Sequence, residues 1–153
     1  MSILELKVPP PIVALVLALL MWLTPAFAGV EQIPDPIRVL CAVVLGCVGQ
    51  GISIAGMVAF RRAKTTVNPV KANMASSLVI KGVYRYTRNP MYVGLLITLL
   101  AWAMFLANPL TALWTVVFVL YITRFQIIPE ERVLASLFGA EYEAYKGRVR
   151  RWV

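Results

Sequence analysis

Four long apolar stretches divide this sequence, and they constrain the fold more than any other feature. They cover approximately residues 11–28, 37–60, 90–106 and 110–128. Each is close to the roughly 17–25 residues that a helix needs to cross the hydrocarbon of a bilayer. The 153-residue chain is 60% hydrophobic and only 14% charged, which is too apolar for a soluble domain. We therefore predict an all-α, multi-span transmembrane bundle of about four spans, forming one domain over residues 1–153.

Two local features predict how the spans pack. Asn108 and Pro109 leave so short a connection that the third and fourth spans must be antiparallel neighbours. Small residues recur in the second span, a pattern that is typical of close helix packing. These are Gly46, Gly49, Gly51 and Gly56.

The basic residues predict the orientation of the bundle. Most of them, in a chain of net charge +8, fall in two blocks that flank the spans, at residues 61–88 and 124–151. The positive-inside rule places both blocks, both termini and the polar site in the cytoplasm, whereas the loop around Glu31 and Asp35 faces outward. Anionic lipid headgroups are then the natural counter-charge, and no nucleic-acid role is expected. The compact length favours a bacterial inner membrane.

The first stretch has an alternative interpretation as a secretory signal. Lys7, an apolar run and the sequence TPAFA resemble such a signal with its small-residue cleavage site. Its removal would leave three spans. We expect the segment to be retained as the first span.

The residues after the fourth span predict an amphipathic helix on the cytoplasmic side. Pro129 suits its first turn. Apolar residues then recur at helical spacing, which predicts a face that lies against the membrane or the bundle. They are Leu134, Leu137, Phe138, Tyr142 and Tyr145.

Cysteine and histidine usage excludes several kinds of site. Both cysteines, Cys41 and Cys47, lie in the second span, and the sequence contains no histidine. A disulfide framework, a zinc site of the usual ligands and a histidine general base are therefore not expected, and we predict no metal site.

A polar and aromatic cluster, GVYRYTRNPMYVG at residues 82–94, opens the third span. Taken singly, Asn89 and Pro90 could simply begin a helix, and Tyr92 and Arg88 could be ordinary residues of the membrane interface. Tyr84 and Arg88 are four residues apart and would share a face if their segment is helical. Together the cluster offers an aromatic surface, a cation and the free amides of a helix start.

A second polar cluster, IIPEERVLASLFG at residues 127–139, follows the fourth span. Two adjacent carboxylates at the end of a span indicate function where they face the protein interior. Alternatively, Glu130 and Glu131 complement the dipole of the following helix. Both interpretations stay open for Glu131, and function is favoured for Glu130.

The two clusters also carry a resemblance to a known family. SSLVIKGVYRYTRNPMYVG, a two-span hairpin and EERVLASLFGAEYEAYKGRVRRW resemble the isoprenylcysteine carboxyl methyltransferases and their bacterial relatives, which are similar to phospholipid N-methyltransferases. The similarity covers about residues 65–150 and keeps the spacing of the motifs. It implies a cofactor-binding core there, S-adenosyl-L-methionine as methyl donor, and a lipophilic or amphipathic acceptor.

The resemblance implies cofactor contacts in the loop before the third span, at the start of that span and after the fourth. To these we add Glu131 and also Arg88, since either this cation or the amides of the helix start at Asn89 could pair with the carboxylate of the cofactor. The candidate cofactor-binding residues are Ser76, Ser77, Leu78, Val79, Tyr84, Arg88, Asn89, Pro90, Met91, Tyr92, Glu130 and Glu131.

The sequence departs from the family at three positions. Ser76 and Asn89 stand where the carboxyl methyltransferases often carry histidine, although both can still form hydrogen bonds with the cofactor. Gln126 stands where they carry an arginine near the substrate carboxylate, which weakens the case for a prenylcysteine substrate. Arg124 is our candidate for the residue that orients the acceptor.

Two other functions remain open at this point. The C-terminal region of sterol reductases resembles the same architecture and binds a nicotinamide cofactor, although those chains are typically longer and carry extra basic residues. A non-enzymatic scaffold whose basic loops hold anionic lipid would also fit the charge pattern. It gives no reason for two spaced motifs.

Overall fold

All regular structure in the described part of the chain is helical. A computed structural model describes residues 5–28, 36–63 and 77–153. Its five α-helices are α1 (Pro10–Ala28), α2 (Pro36–Arg62), α3 (Pro90–Leu106), α4 (Leu113–Ile122) and α5 (Ile128–Arg148). The predicted helical membrane bundle is confirmed.

The spans differ in length. Pro36–Arg62 and the continuous run Pro109–Arg148 are long and apolar enough to cross a membrane, whereas Pro10–Thr24 and Pro90–Leu106 are shorter apolar helices. At 1.5 Å per residue the 40 residues of the long run would measure about 60 Å, twice the hydrocarbon thickness. We therefore take residues 109–127 as the fourth span and α5 as lying beyond it.

The core forms where α1, α3 and α4 meet. Met21, Phe118 and Ile122 are completely buried there. Trp102 of α3 donates its indole N–H to the carbonyl oxygen of Ala18 in α1 at 3.0 Å. α2 packs mainly on α3 and buries only three small residues, Ala42, Gly49 and Gly56.

The predicted hairpin between the third and fourth spans is confirmed. Ala107 ends α3 in the left-handed region (φ 54°), and the side chain of Asn108 accepts a hydrogen bond from the Leu110 amide at 3.0 Å. A short 3₁₀ turn, Pro109–Ala112, then leads into α4. Buried Asn108 and Thr111 therefore reverse the chain with their own polar groups.

The glycine prediction for α2 is correct in part. A Cβ at Gly49 would lie 2.7 Å from the carbonyl oxygen of Gly94, and one at Gly56 would lie 2.9 Å from Cγ of Met91. At Gly46 the nearest atom is 3.8 Å away, an ordinary contact, and at Gly51 a Cβ would meet no described residue outside its own helix within 4 Å. Close packing therefore explains Gly49 and Gly56 but not Gly51.

One local structure was not addressed by the sequence analysis, and a second differs from it. A π-helical turn, Thr123–Ile127, joins α4 directly to α5. That helix is interrupted at Gly139 (φ 50°), and of its predicted apolar face Tyr142 and Tyr145 are buried whereas Leu137 is exposed. The acidic loop around Glu31 and Asp35 lies outside the described residues.

Candidate functional site

The loop before α3 borders a cavity at the arginine-bearing end of α2. Leu78 and Val79 line this cavity of about 760 Å³ together with Val58 and Arg62 of α2. Ser77 donates a hydrogen bond to the carbonyl oxygen of Ala63 at 3.2 Å, which ties the loop to the end of α2. Ser76, the first of the predicted contacts, lies outside the described residues.

Tyr84 lies in a 3₁₀ turn, Gly82–Arg85, that follows this loop. Its ring meets that of Phe60 edge-on with 5.4 Å between centroids, and its carbonyl oxygen accepts a hydrogen bond from the Tyr145 hydroxyl at 2.8 Å. Burial raises the pKa of the Tyr84 phenol well above its ordinary value, with smaller contributions from the nearby Tyr145 and Glu130. Tyr84 is therefore a neutral, buried aromatic close to Glu130.

Tyr84 and Arg88 do not share a helical face, because the helical segment on which that expectation depended does not form. The 3₁₀ turn ends at Arg85, and Arg88 follows in non-helical backbone. The two residues lie near each other through tertiary contacts instead, since each is in contact with the last turns of α5.

Tyr92 and Glu130 bring the two sequence clusters together. The Tyr92 hydroxyl, in the first turn of α3, donates to Oε1 of Glu130, in the first turn of α5, at 2.7 Å. Burial raises the pKa of the Glu130 carboxyl to about 7, the bond from Tyr92 lowers it in part, and the charge of Glu131 raises it. Near neutral pH this carboxyl can therefore gain or lose a proton.

Glu131 is held by two arginines. Nη2 of Arg88 lies 2.9 Å from its Oε1, while Nε and Nη2 of Arg151 lie 3.0 and 2.7 Å from Oε1 and Oε2. The Arg88 side chain is 9% exposed and that of Glu131 is 15% exposed. Nε of Arg88 is buried and has no hydrogen-bond partner among residues 5–28, 36–63 and 77–153.

The start of α3 combines helix initiation with packing. Asn89 occupies the N-cap position and Pro90 the first helical residue, as predicted, but the Asn89 side chain forms no capping bond. Its amide donates instead to the carbonyl oxygen of Arg151 at 2.8 Å. Pro90 and Met91 pack against α2, where the Met91 carbonyl oxygen accepts a bond from Ser53 at 3.1 Å.

Arg124 lies in a different set of contacts. It pairs with Glu5 at 3.0 Å, and Arg132 approaches the same carboxylate at 3.5 Å. The Arg124 side chain is 52% exposed, whereas that of Glu5 is only 3% exposed. Within the described ranges, no hydrogen bond or ion pair joins Arg124 to the other candidate residues.

Three residues of this region were missed by the sequence reasoning. Glu5 is the counter-ion of Arg124, Arg151 pairs with Glu131, and Tyr145 binds the backbone at Tyr84. Arg151 and Tyr145 left a signal, because both lie in the second motif of the family resemblance and Tyr145 belongs to the predicted apolar face, whereas Glu5 left none. Buried Gln126, where the family pattern has arginine, donates to the carbonyl oxygen of Val8 at 2.7 Å.

Comparison with known proteins identifies the relatives of this chain. Residues 37–141 match the sequence model of a family described as phospholipid methyltransferase. The chain is 35% identical over 106 residues to the protein-S-isoprenylcysteine O-methyltransferase of Schizosaccharomyces pombe, which covers 67% of this chain and 44% of that protein. It is 36% identical over 109 residues to the probable enzyme of that name from Oryza sativa subsp. indica, with 69% and 56% covered.

A bacterial relative is more similar over a shorter length. An uncharacterized protein of Haemophilus influenzae is 51% identical over 63 residues, which is 41% of this chain and all of that protein. By contrast, the chain spans about half the length of the named O-methyltransferases that it matches.

Proposed function

The chain belongs to the phospholipid methyltransferase family, and on that basis we propose that it is an integral membrane methyltransferase that uses S-adenosyl-L-methionine. The acceptor we propose is a lipophilic or amphipathic molecule with a nucleophilic oxygen, sulfur or nitrogen. One observation carries the proposal: the hydrogen bond of 2.7 Å between Tyr92 and Glu130, residues 38 positions apart, joins the two motifs. We assign the cofactor-binding core to residues 65–150.

The residues around this bond suit the proposed cofactor. Its ammonium group fits the Glu130 carboxylate, and its carboxylate fits the unpartnered Nε of Arg88. Aromatic Tyr84 and Tyr92 suit an adenine ring and a sulfonium cation. The cavity of about 760 Å³ beside Leu78 and Val79 lies within the usual range for small-molecule sites, roughly 300–1,000 Å³.

Alignment is the main task that this chemistry leaves to the protein. S-adenosyl-L-methionine supplies a methyl group that is already activated by the sulfonium, so the chain's residues need to hold the nucleophile and the methyl carbon in line. Glu130 and Tyr92 fix one end of the cofactor. We assign the orientation of the acceptor to Arg124, whose guanidinium is half exposed.

A groove between α1, α2 and α3 suits the apolar part of the acceptor. It has a volume of about 610 Å³ and is lined almost entirely by apolar side chains, among them Leu15, Leu99 and Trp102. Its lining begins on α3 at Leu95, one helical turn beyond Tyr92. An acceptor in this groove would approach the site from the lipid while the cofactor arrives from water.

The same proposal assigns an orientation to the protein. The α2 end with Arg61 and Arg62 and the charged helix α5 face the cytoplasm, as the positive-inside rule requires. A bacterial inner membrane with anionic lipid is the proposed location.

Calorimetry with purified protein in lipid nanodiscs tests the proposal. We expect wild-type protein to bind S-adenosyl-L-methionine, and we expect Glu130→Gln and Tyr92→Phe each to weaken binding by about tenfold, the cost of roughly one charge-assisted hydrogen bond. Glu141→Gln, at an exposed position on the same helix, is the matched control and should bind normally. Absence of binding by the wild type, or binding of a reduced nicotinamide cofactor instead, would contradict the proposal.

A further inference from the structure

The segment that follows α5 lies across the candidate site. We call residues 149–152 the strap. The carbonyl oxygen of Arg150 accepts a hydrogen bond from the Arg88 amide at 3.0 Å, and that of Arg151 accepts one from the Asn89 side chain at 2.8 Å. The strap therefore runs beside the residues that precede α3.

The far end of the strap is anchored at the π-helical turn. The indole N–H of Trp152 donates to the hydroxyl of Thr123, the first residue of that turn, at 3.1 Å, and its ring packs against the apolar core. The strap thus contacts the start of α3, the first turn of α5 and the turn between α4 and α5. These segments carry most of the candidate residues, so the strap can fix their relative positions.

Arg151 changes the charge balance at the site. With both oxygens of Glu131 occupied by Arg151, the pair is already neutral before Arg88 is counted. Arg88, Arg151 and Glu131 together carry a net charge of +1. Nε of Arg88 is buried and without a partner in the described structure. Its N–H is therefore a hydrogen-bond donor through which the excess positive charge can bind an anion.

We propose that the strap, through Arg151, builds the subsite for the carboxylate of the cofactor's methionine portion. Arg88 is the residue that contacts the carboxylate. Arg151 is a positioning residue: it holds and neutralises Glu131, so that Glu131 does not neutralise the positive charge of Arg88. This inference rests on the proposed function, since it concerns the ligand of the same site. It adds the strap and Arg151, which are not among the binding residues predicted from the sequence.

Two ligands distinguish this role from simple support of the fold. S-adenosyl-L-methionine and its decarboxylated analogue carry the same sulfonium, adenosine and ammonium groups, and only the first carries a carboxylate. Calorimetry on the full chain in nanodiscs should give a preference of about tenfold for the carboxylated ligand in the wild type. Arg151→Met should remove that preference, because Glu131 would then neutralise Arg88, while binding of the decarboxylated ligand stays within about twofold.

Arg148→Met is the matched control, because it removes an equal charge nearby. Arg148 is exposed, and its Nε donates a hydrogen bond to the Ala144 carbonyl oxygen of its own helix at 3.2 Å. This variant should keep the preference of the wild type. Equal weakening of both ligands by Arg151→Met, or no change in either, would overturn the proposal.

Glu131→Gln provides a second test, in which the preference for the carboxylated ligand should change in the opposite direction. This variant also tests the proposal if Arg151→Met does not fold. It raises the charge of the cluster from +1 to +2, so the preference for the carboxylated ligand should increase. A decreased preference would contradict the proposal. Should the wild type bind neither ligand, the proposed function fails; should it bind both with equal affinity, only the carboxylate subsite fails.

Discussion

At the scale of single residues, two adjacent glutamates have separate partners. Successive residues of a helix point about 100° apart, so Glu130 faces the Tyr92 hydroxyl while Glu131 faces Arg88 and Arg151. Glu131 is enclosed by opposite charges. Glu130 accepts its hydrogen bond from a neutral donor, the Tyr92 hydroxyl, so desolvation dominates and raises its pKa to about 7. Glu130 is therefore the carboxyl in this pair that a bound cation would most affect.

This pKa predicts that cofactor binding depends on pH. A carboxyl with a pKa of about 7 is only about one-tenth ionised at pH 6 but about seven-tenths ionised near pH 7.4, so a cationic ligand should bind roughly sixfold more weakly at pH 6 than at its best pH. Above pH 8 affinity should fall again as the ligand's own α-amino group, with a pKa of about 7.7–8.0, loses its proton. Calorimetry from pH 6 to 9 measures the loss of affinity on both sides of the best pH. Glu130→Gln should abolish the loss on the acid side. If that loss persists in the variant, it arises from the titration of another group.

The same carboxyl affects stability with a defined sign. Its folded pKa lies above the ordinary value of 4.5, so between those values the folded protein holds a proton that the unfolded chain has released. Its contribution to stability is therefore complete below about pH 4.5 and is lost as pH rises through about 7. A bound cation would reverse this trend, because it requires the ionised form.

Single residues also show which contacts a sequence can predict. Tyr92 and Glu130 could be associated from the sequence, because an antiparallel hairpin returns the chain to the side from which it started. The partner of Asn89 could not be predicted from the sequence. Its side-chain amide donates to a backbone carbonyl 62 residues away, at Arg151, instead of capping α3. Backbone carbonyls are present at every residue, so such a contact leaves no sequence pattern.

At the scale of elements, α2 and α3 depend on an unusually close approach. A Cβ placed at Gly94 would meet the Gly49 carbonyl oxygen and the Ser53 hydroxyl, and would lie 2.8 Å from the Ser53 amide nitrogen. The neighbouring atoms are mostly backbone and cannot move aside independently. Gly94 was not singled out in the sequence, because its partner helix supplies the constraint.

Gly94→Ala should therefore separate the two helices and lower the free energy of unfolding by about 1–3 kcal/mol, the usual cost of overpacking. Thermal unfolding in detergent measures the change. Gly51→Ala is the matched control: apart from its own helix backbone, no atom of the described residues lies within 4 Å of its Cβ, so only the higher helix propensity of alanine remains, and stability should be unchanged or slightly increased. Equal destabilisation by both substitutions would show that close packing is not the cause.

The turn between α4 and α5 illustrates what periodicity cannot reveal. The apolar stretch predicted a span to about residue 128, and the helix indeed continues to that point. The π-helical turn inserts one residue into the helical repeat and so rotates α5 relative to α4. A single inserted residue does not disturb the pattern of a uniformly apolar stretch, although it decides which way Glu130 and Arg124 point.

At the scale of the whole molecule, segments from both ends of the chain meet at this turn. The Leu6 amide donates to the Phe125 carbonyl oxygen at 3.0 Å from one side, and Trp152 donates to Thr123 at 3.1 Å from the other. The site is thus assembled from segments far apart in sequence, within a bundle whose lipid-facing surface remains apolar. The spans follow from composition and the hairpin from the short connection at Asn108 and Pro109. The meeting of distant segments at the π-helical turn depends instead on individual hydrogen bonds, one between backbone groups and one between side chains.

Photolabelling with S-adenosyl-L-methionine tests the central claim, that the two motifs form one cofactor pocket. Methyl-radiolabelled cofactor is irradiated with the wild-type protein in nanodiscs, and the adducts are mapped by mass spectrometry. We predict labelling within residues 77–92 and also within residues 128–131, with both signals abolished by excess unlabelled cofactor. Competed labelling confined to residues outside these two segments would contradict the account.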